Sequence, residues 1–108
     1  MATTYLSPQQ LKDFAHRVDE VAKKFPDVVV RIRHSFSRDW DGDPAIYFRI
    51  VVTDDAEQRY PLPQLTSRIE DALIEDLALF KSEYSVYIPY FTYRTKADQD
   101  RLKDQEWE

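Results

Sequence analysis

Two runs in which apolar and polar residues alternate, joined by one turn, constrain this chain more than any other feature. In the first, Val28, Val30, Ile32, His34 and Phe36 share one face, and Val29, Arg31, Arg33 and Ser35 share the other. In the second, Ala45 to Thr53, the residues Ile46, Phe48, Ile50 and Val52 stand opposite Tyr47, Arg49 and Val51. A period of two is that of a strand with one buried face. Ser37 to Pro44, between them, holds the only glycine of the chain, three aspartates and a proline. That is the composition of a turn, so the runs form an antiparallel hairpin. A hairpin is not stable alone, and its apolar face needs a second layer.

Amphipathic segments on both sides supply that layer. Ser7-Pro8-Gln9-Gln10 reads as N-cap, N1 proline and N3 glutamine, a capping box. Leu11, Phe14, Ala15, Val18, Val21, Ala22 and Phe25 then recur at helical spacing, and Pro26 stops the pattern. The spacing predicts a helix over 8–25. After the polar loop 54–58, Pro61 and Pro63 lead into a second helix over 63–81, with Leu65, Ile69, Ala72, Leu73, Leu77 and Phe80 on its apolar face. Tyr84 to Thr95 is a third strand, and Pro89 inside it suits an edge or a bulge. Thr95-Lys96-Ala97-Asp98 caps a short charged helix in which only Leu102 and Trp107 have anything to bury. Residues 1–95 then form one α+β domain and 96–108 a charged C-terminal helical extension.

The element order α-β-β-α-β(-α) implies a two-layer α+β sandwich. A right-handed crossover returns the third strand parallel to the second. Placing the first strand in the middle, order 2-1-3, makes each neighbouring pair of this three-stranded sheet antiparallel. Both long helices then cover the apolar face, and nothing is left to cover the other. That open face carries Arg31, Arg33, Tyr47, Arg49 and Val51, joined by Tyr87, Phe91 and Tyr93 if Val86, Ile88 and Tyr90 point inward. A bulge at Pro89 would exchange part of this set for Tyr90 and Arg94.

Function follows from exclusion and from that face. The 108 residues contain no cysteine, which excludes thiolate metal sites, disulfides and a cysteine nucleophile. One glycine excludes Gly-rich phosphate loops, and no cofactor is implied. No run is long enough to span a membrane, the first residues lack the features of a secretory signal, and a cytoplasmic protein is expected. The net charge of −5 disfavours coating of duplex DNA. Arginine and tyrosine on an open sheet are the residues enriched at protein interfaces. The expected function is therefore a non-enzymatic interaction module, a homodimer or the binder of a protein partner, of the size and charge of small inhibitors, antitoxins and immunity proteins. A single-stranded nucleic acid is an alternative occupant of the same face, and a third reading is intramolecular, with arginine stems lying over aromatic rings and nothing bound.

An enzyme is the other alternative, drawing on Asp39, Asp41, Asp43, His34 or Asp76. Asp76 stands in the middle of the second helix's apolar face, so either the helix ends before it or a carboxylate needs a buried partner. Asp39-Trp40-Asp41-Gly42-Asp43 resembles a calcium loop, but its position 12 is Ile50, an apolar residue. His16 lies beside Asp13 and Glu20 on the polar side of its helix. Two histidines in separate segments make no zinc signature, and no metal is expected.

Overall fold

The structure, a computed structural model, describes residues 6–108; the absence of a signal in the chain's first five residues lies outside them. The first helix, α1, spans Pro8–Lys23. Ser7 Oγ accepts the Gln10 N–H at 3.1 Å, and Gln10 Oε1 accepts the Ser7 N–H at 2.8 Å, closing the expected capping box. The hairpin consists of β1, Val29–Arg38, and β2, Pro44–Val52, paired antiparallel. Gly42 turns it at φ +85°, a conformation that suits glycine. Then come α2, Ala56–Arg59; α3, Leu62–Asp76; a 3₁₀ turn, Glu83–Val86; and β3, Ile88–Thr95. The chain continues into α4, Lys96–Leu102, and a last 3₁₀ turn, Gln105–Trp107. No helix among the described residues is long and apolar enough to cross a membrane.

The α+β class holds, but the sheet is mixed and its order is β1-β2-β3. The expected order 2-1-3, antiparallel throughout, is corrected: β3 pairs parallel with β2, directly on its free edge. The composition of the strands explains why. β2 has a single charged residue, Arg49, and Ala45 and Val51 are buried on the face turned away from the helices. A strand buried on both faces belongs in the middle of a sheet. β1, with Arg31, Arg33, Ser35, Ser37 and Arg38, suits an edge, as does β3 with Pro89.

The core lies between the sheet and the two long helices, as expected. Phe14, Val18 and Val21 of α1 and Leu65, Ile69 and Leu73 of α3 meet Ile32, Ile46, Phe48 and Ile50. Phe48 stacks on Phe91 with ring centres 5.3 Å apart. The boundaries differ in ways that have local causes. The pairing shifts between Val29 and Arg31, a bulge that buries Val29 and turns Val30 outward, reversing the alternation there. α3 ends at Asp76, five residues before the predicted end. Ala78 adopts φ +49°, the Leu79 N–H bonds to Ile74 O, and the Ala78 N–H bonds to Glu75 O, a Schellman motif. This change of phase buries Leu79 and leaves Phe80 exposed, although helical spacing had placed Phe80 inside. Asp76 is consequently a helix-end residue whose carboxylate pairs with Lys24 on the surface. Tyr84 is buried in the 3₁₀ turn, not in a strand, and β3 starts four residues later than the tyrosine-rich run suggested.

The second face of the sheet is not open. Lys103 takes φ +52° at the end of α4 and reverses the chain, so that 104–108 runs back across β1 and β2.

A candidate interaction face closed by the chain's last residues

The outward face is built in rows across the three strands. Ser35, Tyr47 and Tyr90 form one row, Arg33, Arg49 and Thr92 the next, and Arg31, Val51 and Arg94 the third. Of the residues expected there, Arg31, Arg33, Tyr47 and Arg49 are in place. Tyr87, Phe91 and Tyr93 are not: they lie on the helix side, against the core. Because Pro89 pairs with Ile46, the outward residues of β3 are Tyr90, Thr92 and Arg94. Tyr93 donates its hydroxyl to Glu70 at 2.7 Å. Burial, with this carboxylate partner, raises its pKa.

Four arginines, Arg31, Arg33, Arg49 and Arg94, thus meet on one face of a chain with net charge −5. The segment 104–108 answers each of them. Arg31 donates to the main-chain oxygen of Trp107 at 3.2 Å, and Arg33 to that of Glu108 at 3.0 Å. Arg49 pairs with Glu106 at 3.3 Å and also donates to Ser35 Oγ at 2.9 Å. Arg94 lies over the Trp107 ring, 4.1 Å from its centre, and 3.8 Å from Asp104. A desolvated cation–π contact is worth about 2 kcal/mol, more than the exposed half of the Arg49–Glu106 pair permits that pair. Trp107 is 7% exposed, and Val51, between Arg31 and Arg94 in the third row, is fully buried.

Gln99 of α4 locks this arrangement. It is fully buried. Its Oε1 accepts from Arg94 at 2.7 Å, and its Nε2 donates to Asp104 O at 2.8 Å and to the Glu108 carboxylate. The sequence points to neither Gln99 nor this closure, since a polar residue in a charged helix reads as solvated. The available signal is complementarity: a tryptophan among Asp104, Glu106 and Glu108, set against arginines alternating along the first strand.

The chain matches no family model, and neither a curated protein nor a solved structure gives a significant match.

His34 and Asp76, also named for an enzyme, are not brought to the aspartates of the 39–43 turn. Asp39, Asp41 and Asp43 do gather, with oxygens within 4.8 Å of one another. Asp39 Oδ1, however, accepts the Asp41 and Asp43 N–H groups at 3.0 and 2.9 Å, and Oδ2 accepts the Tyr90 hydroxyl at 2.8 Å. This carboxylate ties the turn to β3. The Tyr90 bond first, then the backbone N–H groups, hold its pKa below the usual range against the opposing effect of burial. The same bond pushes Tyr90 up to about 12, with burial adding. Tyr47 stacks on Tyr90 with ring centres 5.2 Å apart.

His34 is on the other side of the sheet, 4.9 Å from Phe14 and 5.8 Å from Phe36 between ring centres. Burial lowers its pKa from 6.5; Asp19 opposes the shift, and Arg33 and Arg49 reinforce it. With a depressed folded value, the unfolded chain takes up the proton first. The contribution is whole above pH 6.5 and is lost as pH falls through the folded value. His34→Phe should flatten the dependence of the urea midpoint on pH between about pH 8 and pH 5. An unchanged slope would place that dependence elsewhere.

Proposed function

We propose that this chain is a soluble, cytoplasmic, non-enzymatic interaction module whose outward sheet face receives an acidic segment carrying an aromatic residue from a partner protein. The observation that carries this reading is the seating of 104–108, whose carboxylates, main-chain oxygens and indole answer Arg31, Arg33, Arg49 and Arg94 together. In this reading, the chain's own segment occupies the face until a better-matched segment displaces it. A second copy carries the same segment, so exchange of 104–108 between two chains gives the homodimer.

The competition is balanced by modest energies. Exposed ion pairs contribute about 0–1 kcal/mol each, and the indole supplies most of the rest. A single-stranded nucleic acid is the alternative occupant, and the chain's net charge of −5 disfavours it. The 39–43 turn flanks the face, and Trp40 there is 89% exposed, available as an apolar contact for an incoming chain.

A labelled peptide of the sequence 103–108 tests the reading. In the full-length Trp107→Ala chain, kept folded at low temperature, the peptide should bind saturably, and added salt should weaken binding. Arg33→Ala with Arg49→Ala in that background should abolish it, and wild type should bind less tightly because its own segment competes. A folded Trp107→Ala chain that neither binds the peptide nor self-associates would overturn the proposal.

A further inference from the structure

The connections leaving β2 and β3 diverge at one end of the sheet. After Val52 the chain passes through α2 into α3, on the helix side. After Thr95 it enters α4, whose Gln99 bonds to the outward residue Arg94. Parallel neighbours whose successors leave toward opposite faces open a crevice at their carboxyl ends, the position at which open α/β sheets bind ligands. Here that crevice is a cavity of 380 Å³, and small-molecule sites measure roughly 300–1,000 Å³.

Its lining has two parts. Val52, Leu65, Ile69 and Tyr93 make an apolar wall, and Leu62 stands at the mouth, 42% exposed. Asp54, Glu57 and Asp98 are the exposed carboxylates of the lining, and Asp98 also pairs with Arg101 at 3.2 Å. Asp54 also accepts the Ala97 N–H at 2.8 Å, which ties the two diverging connections together. The one cation of the lining, Arg94, is engaged by Gln99, Asp104 and Trp107. Thr53, in the same wall, has the one buried side-chain oxygen among the described residues that lacks a hydrogen-bond partner. That oxygen is buried and is not presented to the cavity.

We propose that this crevice binds a small amphipathic amine, its ring or short alkyl body on the apolar wall and its ammonium at Asp54, Glu57 and Asp98. The first turn of α3 opposes the cation with about half a positive charge, which three carboxylates outweigh. Pro63, within that turn, has no N–H to offer an anion. This site is separate from the arginine face and does not depend on what that face binds.

The test uses the full isotope-labelled chain, titrated with 2-phenylethylamine and, separately, with phenylacetate, an anion carrying the same ring. The amine should shift the amides of Thr53, Thr66, Tyr93 and Thr95 saturably, and phenylacetate should leave them in place. Leu62→Lys, at an exposed position, should weaken the amine by about tenfold through one added like charge in a partly screened site. Leu62→Gln, which removes the same apolar contact without the charge, should weaken it less. The proposal is overturned if the amine gives no saturable shifts, if the shifts fall outside the crevice, or if phenylacetate binds as well as the amine.

Discussion

Trp107→Ala should lower the stability of this protein by about 3–5 kcal/mol, the usual cost of truncating a buried tryptophan. The reason is that Trp107 forms the second layer over β2. Its ring carries the Arg94 guanidinium at 4.1 Å, its main-chain oxygen accepts from Arg31 at 3.2 Å, and both arginines flank Val51 in one row. Removing the indole leaves Arg94 without its aromatic partner and opens the layer that 104–108 makes over the sheet. Urea unfolding of wild type and variant measures the difference. A loss below about 1 kcal/mol, the level of an ordinary surface change, would mean that the segment adds little to the fold.

Val51→Lys should be as damaging, about 3–5 kcal/mol, because it buries a charge without a partner. Val51 is fully buried beside Arg31 and Arg94, so an ammonium there meets like charges and no free carboxylate. Val30→Lys is the matched control. Val30 is 36% exposed at the β1 bulge, and its substitution should stay within about 0.5 kcal/mol. Strict alternation predicts the reverse: Val30 inside and tolerant of nothing polar, Val51 outside and tolerant of much. Thermal melts of the two variants decide it, at roughly 4–8 °C per kcal/mol for a domain near this size. Equal melting temperatures would sink the assignment of a covered outward face.

Those two substitutions mark where the sequence was legible and where it was not. The capping box at Ser7 and Gln10, the stripes of α1 and α3, the hairpin and the edge character of the Pro89 strand could all be read, because each rests on contacts within a few residues or on one periodicity. Arg31, Arg33, Tyr47 and Arg49 could be placed on one face by the same alternation. The end of α3 could not, because an αL residue at Ala78 carries no glycine to announce it. The outward set of β3 could not either: its phase depends on the register of Pro89 against Ile46, a pairing between strands distant in sequence.

What the sequence determined by itself was the set of elements and the polarity of their faces, both properties of short stretches of chain. Only the tertiary structure decided the order of the strands and the fate of the second face. β2 became central because it is apolar on both sides and could be buried twice. An acidic, tryptophan-bearing segment then closed over four arginines. Neither choice is local. Each depends on which surfaces remain uncovered once the hairpin and helices have packed, and on opposite charges far apart in the chain meeting there.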